Sequence, residues 1–275
     1  MRRVEHVMGL PISMDVRSAP PPALAAASRA FDWLREVDRR FSPFREGSEV
    51  RRCSGDRTLP EHASPELAEI IDLCLRYERD SGGAFRAWLP GRPFDPCGVV
   101  KGWAVQRAGL LLHAAGAGRF CLNAGGDVLA VGEPEPGRAW RVGIRHPELA
   151  HQVCAVFDVR DCAVATSGSY ERGAHVVDGR TGRPARELVS LTVLAPDLTT
   201  ADAVSTAAFA MGVEGIAWAA AQPGCLVFAV DAERRVHRSP LLDEPVVTPE
   251  LLAACRGATA APRSQQEEWP HGSGR

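Results

Sequence analysis

Asp202, Ser205 and Thr206 stand at i, i+3 and i+4 in the run Thr199-Thr200-Ala201-Asp202-Ala203-Val204-Ser205-Thr206. On a helix this spacing puts one carboxylate and two hydroxyls on a single face of the first two turns. Asp197 or Thr199 offers an N-cap, the alanine-rich continuation favours helix, and Gly212 marks its end. Hard oxygens beside the positive end of a helix suit a hard cation that carries phosphate. The plainer alternative is a helix start that is simply rich in capping residues.

Three more stretches hold residues of matching chemistry. In Phe94-Asp95-Pro96-Cys97-Gly98-Val99-Val100-Lys101-Gly102, glycine lets the backbone approach a ligand closely. Lys101 is expected at the start of a helix, where the dipole repels a cation, so it calls for an anionic partner unless it is merely solvated. Asn123-Ala124-Gly125-Gly126-Asp127 reads as a tight turn between strands, and its glycines would also let backbone N–H groups form an anion-binding concavity. Thr166-Ser167-Gly168, His175 and the turn Asp178-Gly179-Arg180-Thr181-Gly182-Arg183-Pro184 combine small hydroxyls, an imidazole and two guanidinium groups, a set suited to phosphate. His175 is the one histidine embedded among these stretches. Imidazole titrates where a general base must, although a lone strand histidine is often structural.

The elements that must position these residues follow from periodicity. An extended segment over residues 4–16 is interrupted at Met8-Gly9-Leu10-Pro11. A helix over residues 23–37 presents Ala30, Phe31, Leu34 and Val37 on one face. Ser64-Pro65-Glu66-Leu67 starts a second, with Leu67, Ile70, Ile71, Cys74 and Leu75 as its apolar stripe and Gly82-Gly83 as its stop. A third is expected from Gly102 to about Ala115, with Val105, Ala108, Leu111 and Leu112 buried. Strands are expected over residues 120–123, 128–131, 140–144, 153–159, 162–166, 175–177, 188–194, 225–230 and 235–237, with helices at 201–211 and 215–221. Helices grouped early and antiparallel strands later make an α+β fold.

Composition narrows the function classes. The 275 residues carry a net charge of −2 and no basic block, which argues against a nucleic-acid partner. Eight cysteines are scattered without a Cys-x-x-Cys pair, and Cys74, Cys121, Cys154 and Cys225 sit in apolar runs that read as reduced core. The N-terminal residues lack an apolar stretch of signal-peptide length and no run is long enough to span a bilayer, so a cytoplasmic chain is expected. Residues 1–256 read as one domain and 257–275 as a disordered tail.

Taken in order, the stretches resemble a family. Met8-Gly9, Phe41-Ser42-Pro43-Phe44 with Ser48-Glu49, Gly83-Ala84-Phe85, Asp95 with Gly98-Val99-Val100-Lys101-Gly102, Asn123-Ala124-Gly125-Gly126-Asp127, Ala165-Thr166-Ser167-Gly168 with His175 and Arg180-Thr181-Gly182-Arg183-Pro184, and Thr199-Thr200-Ala201-Asp202 with Ser205-Thr206 are similar to the motifs of the ApbE family of FAD:protein FMN transferases. The resemblance implies a single T-fold-like domain with helices packed on an antiparallel sheet. It also implies magnesium-dependent transfer of FMN from FAD to a Ser or Thr hydroxyl of a target flavoprotein, with release of AMP. Two alternatives are an FAD pyrophosphatase that yields FMN and AMP, and a protein that binds FAD without turnover.

By the same resemblance Asp202, Ser205, Thr206 and the Gly98 carbonyl correspond to magnesium ligands, and His175 to the base that takes the acceptor proton. Lys101 and Asp95 correspond to FAD contacts, and Met8, Phe44, Ala84 and Phe85 to positions around the flavin or adenine rings. The chain departs from the pattern twice. Arg86 stands where the family usually has Asp after Gly-Ala-Phe, and the connection from there to Asp95 is far shorter than in many members. The wall that this connection builds is therefore expected to be missing or rebuilt.

Overall fold

The protein is described by a computed structural model over residues 1–17, 20–53, 60, 63–149, 151–169, 173 and 175–242. In chain order the elements are β1 (Arg2–Val7), β2 (Leu10–Val16), α1 (Pro21–Phe41), α2 (Pro65–Asp80), α3 (Cys97–Ala114), β3 (Phe120–Ala124), β4 (Asp127–Val131), β5 (Trp140–Arg145) and β6 (Val153–Val159). There follow β7 (Cys162–Gly168), β8 (Val177–Asp178), β9 (Arg183–Pro184), β10 (Leu188–Ala195), α4 (Leu198–Met211), α5 (Val213–Ala220), β11 (Leu226–Asp231) and β12 (Val236–Arg238).

Eight strands form one sheet in the order β1-β2-β3-β4-β7-β10-β11-β12, every neighbouring pair antiparallel. Alternation assigns the two faces. Ile12, Met14, Leu122, Leu129, Ala165, Leu191 and Val193 meet the helices, while Val128, Val164, Leu194, Phe228 and Val230 meet the separate β5–β6 ribbon. The expected α+β architecture is the observed one.

The helices read from sequence are present with shifted ends. Ser64 caps α2 by accepting the Leu67 N–H at 3.2 Å, and Asp197 caps α4 by accepting the Thr200 N–H at 2.9 Å. α3 starts at Cys97, five residues before the expected start at Gly102, so Gly98 and Lys101 belong to its opening turns. Two stripe residues also face the other way. Leu75 and Leu111 are partly exposed, while Tyr77 and Gly109 take the buried positions. Cys154, expected in the core, is exposed on β6, because it lies on the solvent side of the ribbon. His175 precedes β8 rather than lying within it. The expected tail, residues 257–275, lies outside the described residues.

α3 and α4 cross over β4 and β7, and glycine makes that crossing possible. A Cβ at Gly102 would sit 2.3 Å from the Leu198 carbonyl oxygen and 2.6 Å from Asp202 Cβ; one at Gly98 would sit 2.8 Å from the Phe85 ring and 2.9 Å from Thr206 Cγ2. The small residues let the two backbones approach closely and bring Lys101 against Asp202. Among the described residues no helix is long and apolar enough to cross a membrane.

Candidate active site

The crossing of α3 and α4 closes one end of a cavity of about 720 Å³. Asp202, Thr206, Gly98, Lys101 and the β7 residues Thr166 and Ser167 line that end. Asp202 is buried, and α4 carries it toward α3, where the Gly102 N–H donates to Asp202 Oδ2 at 2.7 Å.

Lys101 Nζ lies 3.2 Å from Asp202 Oδ1 and 2.6 Å from Asp127 Oδ2. Asp127 is itself buried, and its Oδ1 accepts the Thr166 N–H at 3.1 Å. Burial pushes the Asp202 carboxyl above the ordinary carboxylate range; Lys101 opposes the rise and Asp127 adds to it. For Lys101, burial disfavours the charge, but the two carboxylates outweigh burial and hold its pKa above the ordinary lysine value. Two carboxylates and one ammonium leave the cluster with an excess negative charge, which suits a further cation.

Hydroxyls complete this end of the cavity. Ser167 Oγ is 3.1 Å from Ser205 Oγ and 3.4 Å from Thr206 Oγ1. Ser205 is buried beside the cavity and donates to the Asp202 carbonyl at 3.0 Å, so Asp202 and Thr206 reach the cavity and Ser205 braces them.

The cavity runs from there past rings and thioether. The two-residue turn between β1 and β2 holds both Met8 (φ 58°) and Gly9 (φ 73°) in the left-handed region, a type I′ signature that turns Met8 to the cavity. Phe85 is a buried wall, whereas Phe44 stands at the rim, 81% exposed. Ala84 is fully buried behind Phe85, and its carbonyl accepts the Gly179 N–H at 2.8 Å. That bond, with no room for a Cβ on Gly179, ties the turn after His175 to the Gly83-Ala84-Phe85 stretch. His175 is exposed on the cavity lining, its Nδ1 3.0 Å from the Gly173 carbonyl.

The short connection after Phe85 is a rebuilt wall rather than a gap. Trp88 stacks on Phe94 with centroids 4.1 Å apart, and the Asp95 N–H donates to the Ala87 carbonyl at 2.9 Å. The loop so closed turns Leu89, Arg92 and Pro93 to the cavity. Asp95 also accepts the Cys97 N–H at 3.0 Å, at the start of α3. Arg86 pairs with Glu78 at 3.2 Å while lining the cavity.

Of the residues expected from sequence, Met8, Phe44, Phe85, Asp95, Gly98, Lys101, His175, Asp202 and Thr206 line this one cavity; Ala84 and Ser205 lie just behind it. Sequence reasoning does not single out Asp127 or Ser167, although both belong to stretches that read as chemical. Only a contact between distant segments, 101 with 127 or 167 with 206, reveals them.

Comparison with known proteins bears on the family and the fold. Residues 8–90 and 89–228 match the model of the ApbE family. Proteins named FAD:protein FMN transferase from Salmonella typhimurium, Rhodobacter capsulatus and Treponema pallidum are 32%, 38% and 34% identical over 155, 152 and 168 residues. These alignments cover 53%, 52% and 54% of this chain and 44%, 29% and 46% of the relatives, so the chain spans less than half of each relative's length. The flavin transferase ApbE from Vibrio cholerae superposes with a TM-score of 0.74 at 20% identity, covering 88% of this chain and 98% of that one. The ApbE protein of Thermotoga maritima gives 0.75 at 23%, with the same coverage. At those identities the likeness is one of fold. With its family model matched from residue 8 to residue 228, the chain belongs to the ApbE family.

Proposed function

We propose that this chain transfers FMN from FAD to a Ser or Thr hydroxyl of a target flavoprotein, in a magnesium-dependent reaction that releases AMP. The observation that carries the reading is a single cavity with carboxylate, hydroxyls and a lysine at one end and apolar and aromatic walls leading away from them. Such a cavity matches a dinucleotide, which has a diphosphate to neutralise and flat rings to bury. The names of the relatives support the same substrate.

The donor set fits magnesium. Asp202, Thr206 and Gly98 line the same cavity and offer carboxylate, hydroxyl and carbonyl oxygens, all hard donors. Asp202, Thr206 and Gly98 would hold the ion, with Ser205 and Ser167 fixing the Asp202–Thr206 turn. Bound there, magnesium supplies charge stabilisation to the diphosphate as AMP departs.

The remaining work falls to side chains. Lys101 faces the same diphosphate from the opening turns of α3. Met8, Phe44 and Phe85 hold rings by burial and stacking, and Asp95 offers a carboxylate for polar contact. His175, exposed at the cavity, takes the proton from the acceptor hydroxyl as that oxygen attacks the flavin-side phosphorus; the phosphorus–oxygen bond to AMP then breaks. Positioning and electrostatics supply most of the rate enhancement, as phosphoryl transfer requires.

Incubation with FAD, Mg²⁺ and an acceptor peptide carrying a Thr tests the reading. A peptide heavier by one FMN, with AMP released in step, is expected. Equal AMP and free FMN with an unlabelled peptide would replace it with hydrolysis, and intact bound FAD with flavin binding alone.

A further inference from the structure

We propose that Asp127 is a positioning residue: it shares the Lys101 ammonium with Asp202 and so weakens the lysine's competition with a divalent cation for the Asp202 carboxylate. This rests on the reading of Asp202 as a metal ligand. Asp127 sits at the first position of β4, directly after the Gly125-Gly126 turn, and belongs to neither helix of the crossing. Yet its carboxylate reaches Lys101 at 2.6 Å, nearer than Asp202 does at 3.2 Å.

The anchoring of Asp127 is independent of the lysine. Its other oxygen accepts the Thr166 N–H from β7, and the turn before it is held by Asn123 Oδ1, which accepts the Gly126 N–H at 2.9 Å. The carboxylate is therefore fixed by the sheet, and the flexible lysine comes to it. Without Asp127, Lys101 would have one carboxylate left to pair with, Asp202, across a short distance in a low-dielectric site. A lysine bound to Asp202 alone competes with any cation for that carboxylate. Asp127 takes the shorter contact and so lessens the competition, while keeping the ammonium at the same end of the cavity, where it faces an anion.

The consequence is a reversal between single and double variants. Asp127→Asn keeps the shape and the Thr166 bond but loses the charge, and should weaken Mn²⁺ binding about 10- to 100-fold, the range for residues that orient a metal site. Lys101→Met added to Asp127→Asn removes the competitor and should restore Mn²⁺ affinity to near that of the unaltered protein. Asp127→Glu retains the charge and should bind Mn²⁺ nearly as the unaltered protein does, which keeps the test open if the Asn variant fails to fold.

The experiment is a Mn²⁺ titration of the protein without nucleotide, followed by electron paramagnetic resonance of the free ion. Weak binding by Asp127→Asn and recovery in the double variant is the expected pattern. Equal weakness in single and double variants, unchanged binding in Asp127→Asn, or loss in Asp127→Glu matching that of Asp127→Asn overturns the role. If the unaltered protein takes up no Mn²⁺, the metal reading of Asp202 falls, and this role falls with it.

Discussion

Gly102→Ala tests the geometry of the α3–α4 crossing more sharply than removal of any polar group. In an exposed helix interior this change stabilises by about 1 kcal/mol, because alanine is the better helix former. Here the new Cβ would lie 2.3 Å from the Leu198 carbonyl oxygen and 2.6 Å from Asp202 Cβ. Ordinary contact begins near 3.4 Å, so the helices must part by roughly 1 Å, and neither neighbour is the far end of a flexible side chain. Overpacking of this kind costs about 1–3 kcal/mol. Parting the helices also strains the 2.7 Å bond from the Gly102 N–H to Asp202, and a bond to a charged group is worth about 1.5–3 kcal/mol. Against the propensity gain, the net is a destabilisation of about 1.5–5 kcal/mol, or a fall in Tm of about 3–20 °C for a domain of this size. Thermal unfolding by circular dichroism reads it directly. A melting temperature equal to or above that of the unaltered protein would mean that the helices do not meet at this glycine, and the placement of Lys101 against Asp202 would lose its support.

Three further outcomes follow from the same structure. Asp202→Asn should abolish Mg²⁺-dependent release of AMP from FAD while the far-ultraviolet circular dichroism spectrum is retained; turnover near that of the unaltered protein would remove Asp202 from the metal site. His175→Ala should slow FMN transfer by about 10²- to 10⁴-fold, the usual worth of a general base, with FAD affinity measured by flavin fluorescence unchanged, since His175 is exposed and its ring bonds a carbonyl only two residues away; a large fall in Tm would make it a structural residue. For acid stability, burial works against the Asp231 carboxylate, but hydrogen bonds from His237 at 2.9 Å and Arg235 at 2.7 Å prevail and hold its pKa below the ordinary carboxylate value. Its contribution is therefore complete above the unfolded value, about pH 4, and is lost as pH falls through the folded one. Asp231→Asn should lower Tm at neutral pH and flatten the loss of Tm on acidification, and an unchanged acid limb would contradict the pairing.

Local rules make much of this fold legible in its sequence. The cap at Asp197, the Gly125-Gly126 hairpin and the alternation along β2 each act within a few residues, so their outcome can be read without the rest of the chain. α3 shows where such rules stop. Two glycines at 98 and 102 argue against helix by propensity, yet the close approach of α4 requires them there, and the helix runs through both. Leu111 reads as core by residue type, while Gly109 packs against Leu129 and Phe120 because the sheet, not the helix, chooses the face. In the site, Asp202 and Thr206 are visible from their spacing, and Ser205 shares that spacing but lies one layer deeper. Asp127 is readable only as part of a turn, since its partner Lys101 comes from a different element and no periodicity links the two. The rebuilt wall depends likewise on Trp88 finding Phe94 across an irregular loop.

The most direct test is a crystal structure of the protein with FAD and Mn²⁺, with the metal located by anomalous scattering. The account predicts one strong peak at about 2.1 Å, the distance for a small hard cation, from Asp202 and Thr206 oxygens and the Gly98 carbonyl. FAD density should run from that peak along Met8, Phe44 and Phe85, with His175 at the flavin-side phosphate. A metal peak away from Asp202, or a dinucleotide bound outside this cavity, would contradict the assignment.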